Sequence, residues 1–495
     1  MRCLLALDQS TSATKAVLLD LNGEVLHFAS REHRQLYPQP GWVEHDAEEI
    51  WGNTLAVTNQ VLDEAAIEGL ELASLSIANQ RETVVVFERD TGRPVRPAIV
   101  WQCRRGDALC AEQGQLGRGP ALREKSGLRV DSYFSAPKLQ WLVRECPQVA
   151  AQLASGHALI GTVDTYLIYR LTGGRVFATD HTNACRTLLY NLRKLQWDEE
   201  LCRWWEVPRN ALAEIRASDA SFGETTLDGK LARAIPIRGV MGDSHAAMFA
   251  QQCVTVGSAK VTFGTGSSVL MNAGGAPPRG LEAAVSTLAW VQGDEPTYAL
   301  EGIITSSAAT LTWLQAQLGI LTSITSAEAL SEGLVAGSAG VYVVPAFAGL
   351  GAPWWRESAR AAIVGLSAHS DRRHVVCAAL EAIAYQLRDI LEMMRTEAGV
   401  NLREIRADGG PTANVPLMQF VADIVGLELR VARRADRAAR GAALMGALGA
   451  ALPVDPARFT GAVDDIVYRR QMTAEQAQAR YEGWLRAVSQ VLCVA

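Results

Sequence analysis

The chain has 495 residues, 48% of them hydrophobic and 20% charged, with a formal net charge of −6. That length exceeds what one core usually supports, so two large domains are expected, and the composition is that of an ordinary globular protein rather than a disordered one. The negative balance offers no basic field to nucleic acid or to an anionic membrane, and nine scattered cysteines without C-x-x-C or zinc-like spacing fit a reducing cytosol better than a disulfide framework.

No export signal is read at the start, where residues 1–7 run into Asp8. The longest weakly polar run, residues 441–454, is short, Gly/Ala-rich and broken by Pro453, so it does not span a bilayer. A soluble, cytoplasmic protein is expected.

Residues 4–7 predict an apolar strand ending in Asp8-Gln9-Ser10-Thr11-Ser12-Ala13-Thr14-Lys15. A second strand over 16–20, a turn at 21–23 and a third strand near 25–26 follow. Small hydroxylated residues let N–H and O–H donors converge on a phosphate, and Lys15 adds charge. Asp8 at the strand end suits Mg²⁺, which is held by one or two carboxylates together with substrate phosphates. The alternative is a solvated polar turn.

Asp46 predicts the N-cap of a helix over 47–65, with Glu48 and Glu49 in its first turn. A strand over 74–78 ends in Asn79-Gln80-Arg81-Glu82-Thr83, and another strand spans 84–87. Arg81 and Glu82 are read either as a clamp for a small polyhydroxy ligand or as a surface ion pair. Residues 97–105 read as a strand ending at an aromatic, Trp101, and residues 131–142 as the opening of a helix that offers Tyr133.

Residues 235–240 read as a strand running into Gly242 and delivering Asp243 at the start of an Ala-rich helix. A carboxylate at the C-terminal edge of a strand sits where open α/β sheets bind ligands, and helix-start N–H groups favour its ionised form. That suits a base taking a proton from a hydroxyl. His245 beside it is read as structural.

Residues 258–263 predict a strand, Gly264-Thr265-Gly266-Ser267-Ser268 a tight turn, and residues 269–272 the returning strand. This echoes the opening hairpin about 250 residues earlier, a weak internal repeat pointing to two similar domains. Residues 341–345 read as a strand and residues 374–397 as a helix stopped by Gly399. A strand over 403–407 leads into Asp408-Gly409-Gly410-Pro411-Thr412-Ala413-Asn414, where backbone can approach a ligand, and a small-residue helix over 438–451 permits tight packing.

In order along the chain, residues 38–46, 79–83, 99–105, 161–169 (GTVDTYLIY) and 179–188 (TDHTNACRTL) resemble the FGGY carbohydrate kinases, bacterial glycerol kinases most closely. Residues 133–145 and 361–381 fit the two family signatures. The resemblance covers roughly residues 1–450, and the last 40 or so match poorly.

It implies an α/β fold of two ribonuclease-H-like, actin-like ATPase domains around a central cleft, divided as 1–248 and 249–495. It implies ATP and Mg²⁺ as cofactors, with Asp8 and Asp243 at the metal and Thr11, Ser12, Ala13 and Lys15 at the γ-phosphate. Gly264, Thr265 and Gly266 would meet the β-phosphate side, Ala308 and Thr312 lie near the nucleotide, and Gly410 and Asn414 flank the adenosine. Arg81, Glu82, Trp101, Tyr133 and Asp243 match the polyol-binding positions, joined by Ser244 and Ser268, with Asp243 as catalytic base. A homo-oligomer, dimer or tetramer, is expected. No G-x-x-x-x-G-K-[ST] motif occurs, which excludes the P-loop class.

The chain departs from the pattern where Ser244 replaces the usual Gln, Ser268 an aromatic, and Ala308 and Thr312 a Gly and a Gln. The first turn also reads Asp8-Gln9-Ser10-Thr11-Ser12 instead of Asp-Gln-Gly-Thr-Thr. By overall similarity the expected reaction is phosphorylation of glycerol to glycerol 3-phosphate; because the two serines remove bulk, a larger polyol or ketose (tetritol, pentitol or xylulose type) is the alternative. Residues 228–233 do not reproduce the Gly-Gly-Thr-Arg loop through which some glycerol kinases bind a sugar bisphosphate. An actin- or Hsp70-like ATPase would have no use for the five polyol positions, and a silent sugar-binding regulator would be expected to have lost Asp8 or Asp243.

Overall fold

The computed structural model describes residues 1–323, 327, 337–434 and 436–494. The chain opens with β1 (Arg2–Gln9), β2 (Ala13–Asp20) and β3 (Val25–Glu32), a meander in which each strand is antiparallel to the last. Apolar residues of β1 are buried on both faces, as befits a central strand. Helix α1 (Ala47–Ile67) starts where expected, with the Asp46 carboxylate accepting from the Glu48 and Glu49 amides. Strand β4 (Glu71–Asn79) then lies parallel to β1. After α2 (Ser135–Glu145), strands β5 (Ser221–Thr225) and β6 (Ile235–Gly242) complete a first sheet of order β5-β6-β4-β1-β2-β3, and β6 runs straight into α3 (Asp243–Ala250).

The second half repeats the plan. Strands β7 (Ser258–Phe263), β8 (Ser267–Gly274), β9 (Val285–Gln292) and β10 (Glu295–Ile304) form an antiparallel set. Helix α4 (Ala309–Ala316) follows, then α5 (Arg372–Ala398), which Gly399 ends in a left-handed conformation. Strand β11 (Glu404–Asp408) pairs in parallel with β7, exactly as β4 does with β1 in kind, and helix α6 (Val415–Val425), β12 (Leu429–Val431), helix α7 (Arg437–Gly449) and β13 (Ile466–Tyr468) follow. The second sheet has the order β9-β10-β8-β7-β11-β12-β13. Two sheet-rich halves, each built on a hairpin flanked by a parallel strand, bear out the duplicated α/β fold.

The small-residue helix α7 lies between β12 and β13 of the second sheet in sequence yet packs on the first. A Cβ on Gly441 would lie 1.8 Å from the Ala246 carbonyl oxygen, so only glycine permits this approach to α3. Ala439, Ala442 and Ala443 share one buried cluster with Leu4, Ala6, Met241 and Met248, and that cluster also takes in Leu270 and Trp290. The floor between the halves is therefore apolar and continuous.

Several sequence-based boundaries move. Of residues 97–105 only Ala98–Ile99 is strand, because the chain turns at once, with the Cys103 amide donating to the Val100 carbonyl. The helix expected from 131 starts at Ser135, since the Asp131 carboxylate first accepts from the Tyr133 amide in a turn. Ser267 and Ser268 belong to β8, opposite Phe263 and Thr262, so the second turn is shorter than expected. The third strand runs on to Glu32 along β2. All nine cysteines are free thiols, and no helix among the described residues is long and apolar enough to cross a membrane.

Candidate active site

Three parallel strands of the first sheet end side by side. Gln9 of β1 is opposite Asn79 of β4, which is opposite Gly242 of β6. Asp8, the Gln80–Glu82 segment and Asp243 therefore arrive at one sheet edge, the place where open α/β sheets bind ligands. Asp8, Lys15, Asp243 and Ser244 line a cleft of about 460 Å³ together with Lys260, Thr262, Asp408, Gly409 and Asp436 from the second half.

At the first turn, Lys15 Nζ lies 3.3 Å from Asp8 Oδ2 and 3.7 Å from Asp436 Oδ1. Asp8 Oδ1 is buried with no partner among the described residues. Burial pushes the Asp8 carboxyl up to about 6, against the pull of Lys15. A buried carboxylate oxygen left open beside a lysine fits Mg²⁺, which keeps few protein ligands and several from substrate or water. Thr11 is half-exposed and Ser12 exposed, but Ala13 points inward and its amide donates to Ser10 Oγ at 3.3 Å. The turn thus offers its donors from Thr11 and Ser12 rather than from Ala13.

Arg81 and Glu82 are buried, which rules out the surface ion pair. Arg81 Nη2 donates to Glu301 Oε1 at 3.0 Å, Arg186 Nε to Glu82 Oε1 at 2.6 Å, and Arg186 Nη1 lies 2.6 Å from Glu301 Oε2. Burial opposes charge on Arg81, but Glu301 and Glu82 outweigh it and raise the guanidinium's pKa well above normal. Glu301 is held below its usual range because the two arginines overcome its burial. Arg81 Nη1 is buried and has no partner among the described residues, and Arg81 Nε lies 3.6 Å from Asp243 Oδ1. Glu82 adopts a left-handed backbone (φ 62°), a cost of about 1–2 kcal/mol for a residue with a Cβ. The Ser135 hydroxyl, donating to the Glu82 carbonyl at 3.0 Å, helps hold it.

Trp101 and Tyr133 meet edge to face, with ring centroids 5.2 Å apart, and form an aromatic corner. Trp101 Nε1 donates to Thr11 Oγ1 at 3.0 Å. Beneath Tyr133, the fully buried Lys138 ammonium donates to the carbonyls of Ser132, Tyr133 (2.8 Å) and Phe134 (2.9 Å). Burial lowers its pKa from 10.5 to about 8.

Asp243 is the first residue of α3, and its Oδ1 accepts from the Ser244 amide at 2.6 Å. The preceding Gly242 donates to Thr182 Oγ1 at 2.8 Å, and a Cβ there would crowd the Arg81 stem at 2.8 Å and His245 Nδ1 at 2.9 Å. A glycine is needed to bring base and guanidinium together. His245 is fully buried and held neutral, by burial first and then by Arg81, Arg186 and Lys260.

The second turn closes through the Gly264 amide and the Gly266 carbonyl at 2.9 Å, leaving Thr265 exposed at its tip. The start of α4 braces it, with the Ala308 amide donating to the Gly264 carbonyl at 3.1 Å and Thr312 one turn further on. Because β7 and β11 are parallel neighbours, Gly410 and Asn414 follow Asp408 beside this turn. Asn414 Oδ1 caps α6 by accepting from the Leu417 amide at 2.8 Å, so only its amide NH₂ is uncommitted there.

Paired residues on neighbouring strands share a sheet face. Lys260 pairs Leu270, which pairs Glu301; Thr262 pairs both Ser268 and Asp408. Lys260, Thr262, Ser268, Glu301 and Asp408 therefore share one face of the second sheet. Through Arg81–Glu301 that face is turned toward the first half, and Asp408 accepts from Gln251, the residue that follows α3. Ser268 Oγ is buried there without a partner among the described residues. Glu301, Arg186, Lys260 and Lys138 are site residues that the sequence reading missed. Strand alternation would have put Lys260, Thr262 and Ser268 on a common face, but nothing local marks Glu301 or Arg186.

Profiles of the FGGY family of carbohydrate kinases match the chain, the N-terminal domain over residues 3–250 and the C-terminal domain over 259–450. Glycerol kinase 1 of Thermotoga maritima is 44% identical over 495 residues, covering 99% of each chain. That alignment runs through the tail, whereas the family profile ends at residue 450, where the sequence resemblance was expected to fade. The structure of Plasmodium falciparum glycerol kinase with ADP superposes with a TM-score of 0.94 at 33% identity, covering 99% of this chain and 98% of that one. A xylulose kinase from Lactobacillus acidophilus shares the fold, at TM-score 0.87 and 19% identity over 99% of this chain and 98% of its own.

Proposed function

The chain belongs to the FGGY family of carbohydrate kinases, and we propose that it transfers the γ-phosphoryl group of ATP to a terminal hydroxyl of glycerol, giving glycerol 3-phosphate and ADP. The observation carrying this reading is the convergence of Asp8 and Asp243, from two parallel strands, on one cleft. Full-length identity to proteins named glycerol kinase supports glycerol as the acceptor.

In the proposed reaction Asp243 takes the proton of the attacking hydroxyl. That oxygen bonds to phosphorus as the bond from phosphorus to the β–γ bridging oxygen breaks, and ADP leaves with the electron pair. The open Arg81 Nη1 and the Glu82 carboxylate bind the polyol hydroxyls, Trp101 and Tyr133 cover its carbon face, and Ser244 and Ser268 close the remaining wall. Mg²⁺ supplies neutralisation of the phosphate charge, and Asp8 Oδ1, with Asp243, is the protein oxygen suited to hold it. Thr11, Ser12 and Lys15 serve the γ-phosphate, residues 264–266 the β-phosphate side, and Ala308, Thr312, Gly410 and Asn414 the adenosine.

On this reading residues 1–248 carry the polyol site and first phosphate turn, and residues 249–495 the second turn and adenosine site. The proposed enzyme is cytoplasmic and homo-oligomeric, as a dimer or tetramer, which light scattering of the purified protein tests.

A second reading, a larger polyol or ketose, draws support from the unpartnered Ser268 Oγ and the small Ser244 side chain. The test is kcat/KM with MgATP across glycerol, dihydroxyacetone, erythritol, threitol, xylitol and xylulose. Glycerol is expected to lead by about tenfold or more. A four- or five-carbon substrate in the lead overturns glycerol in favour of the second reading.

A further inference from the structure

Lys260 is 1% exposed, on a central strand, and it lines the cleft with Asp8, Lys15 and Asp243. A buried ammonium is normally paired, because desolvating an unpaired charge is costly. The carboxylates around it are already engaged, Asp8 with Lys15, Asp243 with Arg81 and the Ser244 amide, and Asp408 with Gln251. Among the described residues, Lys260 itself has neither a hydrogen bond nor an ion pair with any side chain or carbonyl.

Its position fixes where that unused charge is directed. Lys260 shares a sheet face with Thr262 and Asp408, and that face is turned to α3 and the Asp8 edge. Its field reaches the buried His245 imidazole, two residues from Asp243. The cleft therefore has a cation on each side, Lys15 from the first hairpin and Lys260 from the second. Lys15 is neutralised by two carboxylates, whereas Lys260 has none among the described residues.

We infer that Lys260 is a further catalytic residue, its ammonium contacting the oxygens of the phosphoryl group as it passes from nucleotide to acceptor. This rests on the proposed phosphotransfer, in which the negative charge spread over the three oxygens of the passing phosphoryl group needs donors from the second half as well as Lys15. A terminal phosphate would give Lys260 the partner that the described residues do not. The bonds made and broken, and the proton passed to Asp243, are those already given.

The test uses the full chain as Lys260→Met, which fills the same space without charge, and Lys260→Arg, which keeps the charge. Lys260→Met is expected to lower kcat by about 100- to 1,000-fold while KM for the acceptor changes little, and Lys260→Arg to recover part of the loss. Calorimetric titration with Mg-AMP-PNP and MgADP gives a readout independent of turnover. The parent should favour the nucleotide bearing the γ-phosphate, and Lys260→Met should lose that preference while binding MgADP as before. If Lys260→Met keeps kcat within about threefold of the parent, or weakens both nucleotides equally, the inference is overturned. If the parent phosphorylates no acceptor but the γ-phosphate preference still depends on Lys260, the proposed acceptor chemistry fails and the Lys260 contact stands. Should Lys260→Met not fold, Lys260→Arg with unaltered nucleotide preference and kcat supports the contact, and Lys260→Gln with the same unaltered values overturns it.

Discussion

Trp101 Nε1 donates to Thr11 Oγ1 at 3.0 Å, so the aromatic corner of the proposed acceptor pocket and the hydroxyl turn of the proposed nucleotide pocket share one hydrogen bond. Replacing Trp101 with Phe keeps a ring against Tyr133 but frees the Thr11 hydroxyl. A neutral hydrogen bond contributes about 0.5–1.5 kcal/mol, so KM is expected to rise by roughly 3- to 10-fold for ATP as well as for the acceptor. Steady-state kinetics varying each substrate checks this; a change confined to the acceptor KM would make Trp101 a wall and nothing more.

Asp243→Asn removes the base but keeps the side chain's shape at the start of α3. kcat should fall by about 100- to 10,000-fold, the usual worth of a positioned general base. MgADP affinity, measured by calorimetry, should stay close to the parent's. Turnover near the parent's value would assign the proton to another group.

Lys138 ties the proposed acceptor site to pH. Its ammonium holds three successive carbonyls of the Tyr133 loop, and burial lowers its pKa from 10.5 to about 8. The charged form persists below pH 8 and is lost as pH rises through 8, leaving one donor fewer for the loop. The acceptor KM should therefore increase above pH 8, and the step should be absent in Lys138→Met. Between pH 8 and 10.5 the unfolded chain binds the extra proton, so this group's contribution to stability rises with pH even as the loop loosens.

Glu301 is the carboxylate that β10 of the second half presents to Arg81 and Arg186 of the first. Glu301→Ala leaves two buried guanidiniums with Glu82 and, beside Arg81 at 3.6 Å, the Asp243 carboxylate, and breaking such a cluster costs about 3–5 kcal/mol. Urea denaturation should show a fall of that order, and Glu301→Gln, which keeps an acceptor oxygen, a smaller one. An unchanged midpoint for Glu301→Ala would mean that the arginines find other partners.

Residues 228–233 lie in the loop between β5 and β6, where Lys230 Nζ is paired with Asp63 at 2.5 Å. With the Gly-Gly-Thr-Arg pattern absent, addition of a sugar bisphosphate to the kinase assay should leave the initial rate unchanged. A saturable fall in rate would show that another surface binds the bisphosphate.

The sequence by itself determined what local physics controls. Runs such as that of β1 are apolar enough to be read as buried strands, Asp46 marks its helix because its carboxylate accepts from the Glu48 and Glu49 amides, and Gly399 stops α5 because it has no Cβ. The repeated hairpin announced two similar halves, and the ordered motifs carried Asp8, Arg81, Glu82, Trp101, Tyr133 and Asp243 before any coordinates. Short-range reading failed where pairing partners were needed, as at residues 97–105, which turn after two strand residues.

Only the tertiary structure decided which charges meet. Glu301 stands 220 positions from Arg81, and nothing near either residue in the chain foretells a 3.0 Å bond. The same holds for α7, which returns from the second half to pack Gly441 against Ala246 and so fixes the helix that carries Asp243. A side chain's alternation along a strand is a local property, but which face of the sheet lies against the cleft depends on how the two halves are docked. That docking turned Lys260 from an ordinary strand lysine into a buried cation facing Asp8 and Asp243.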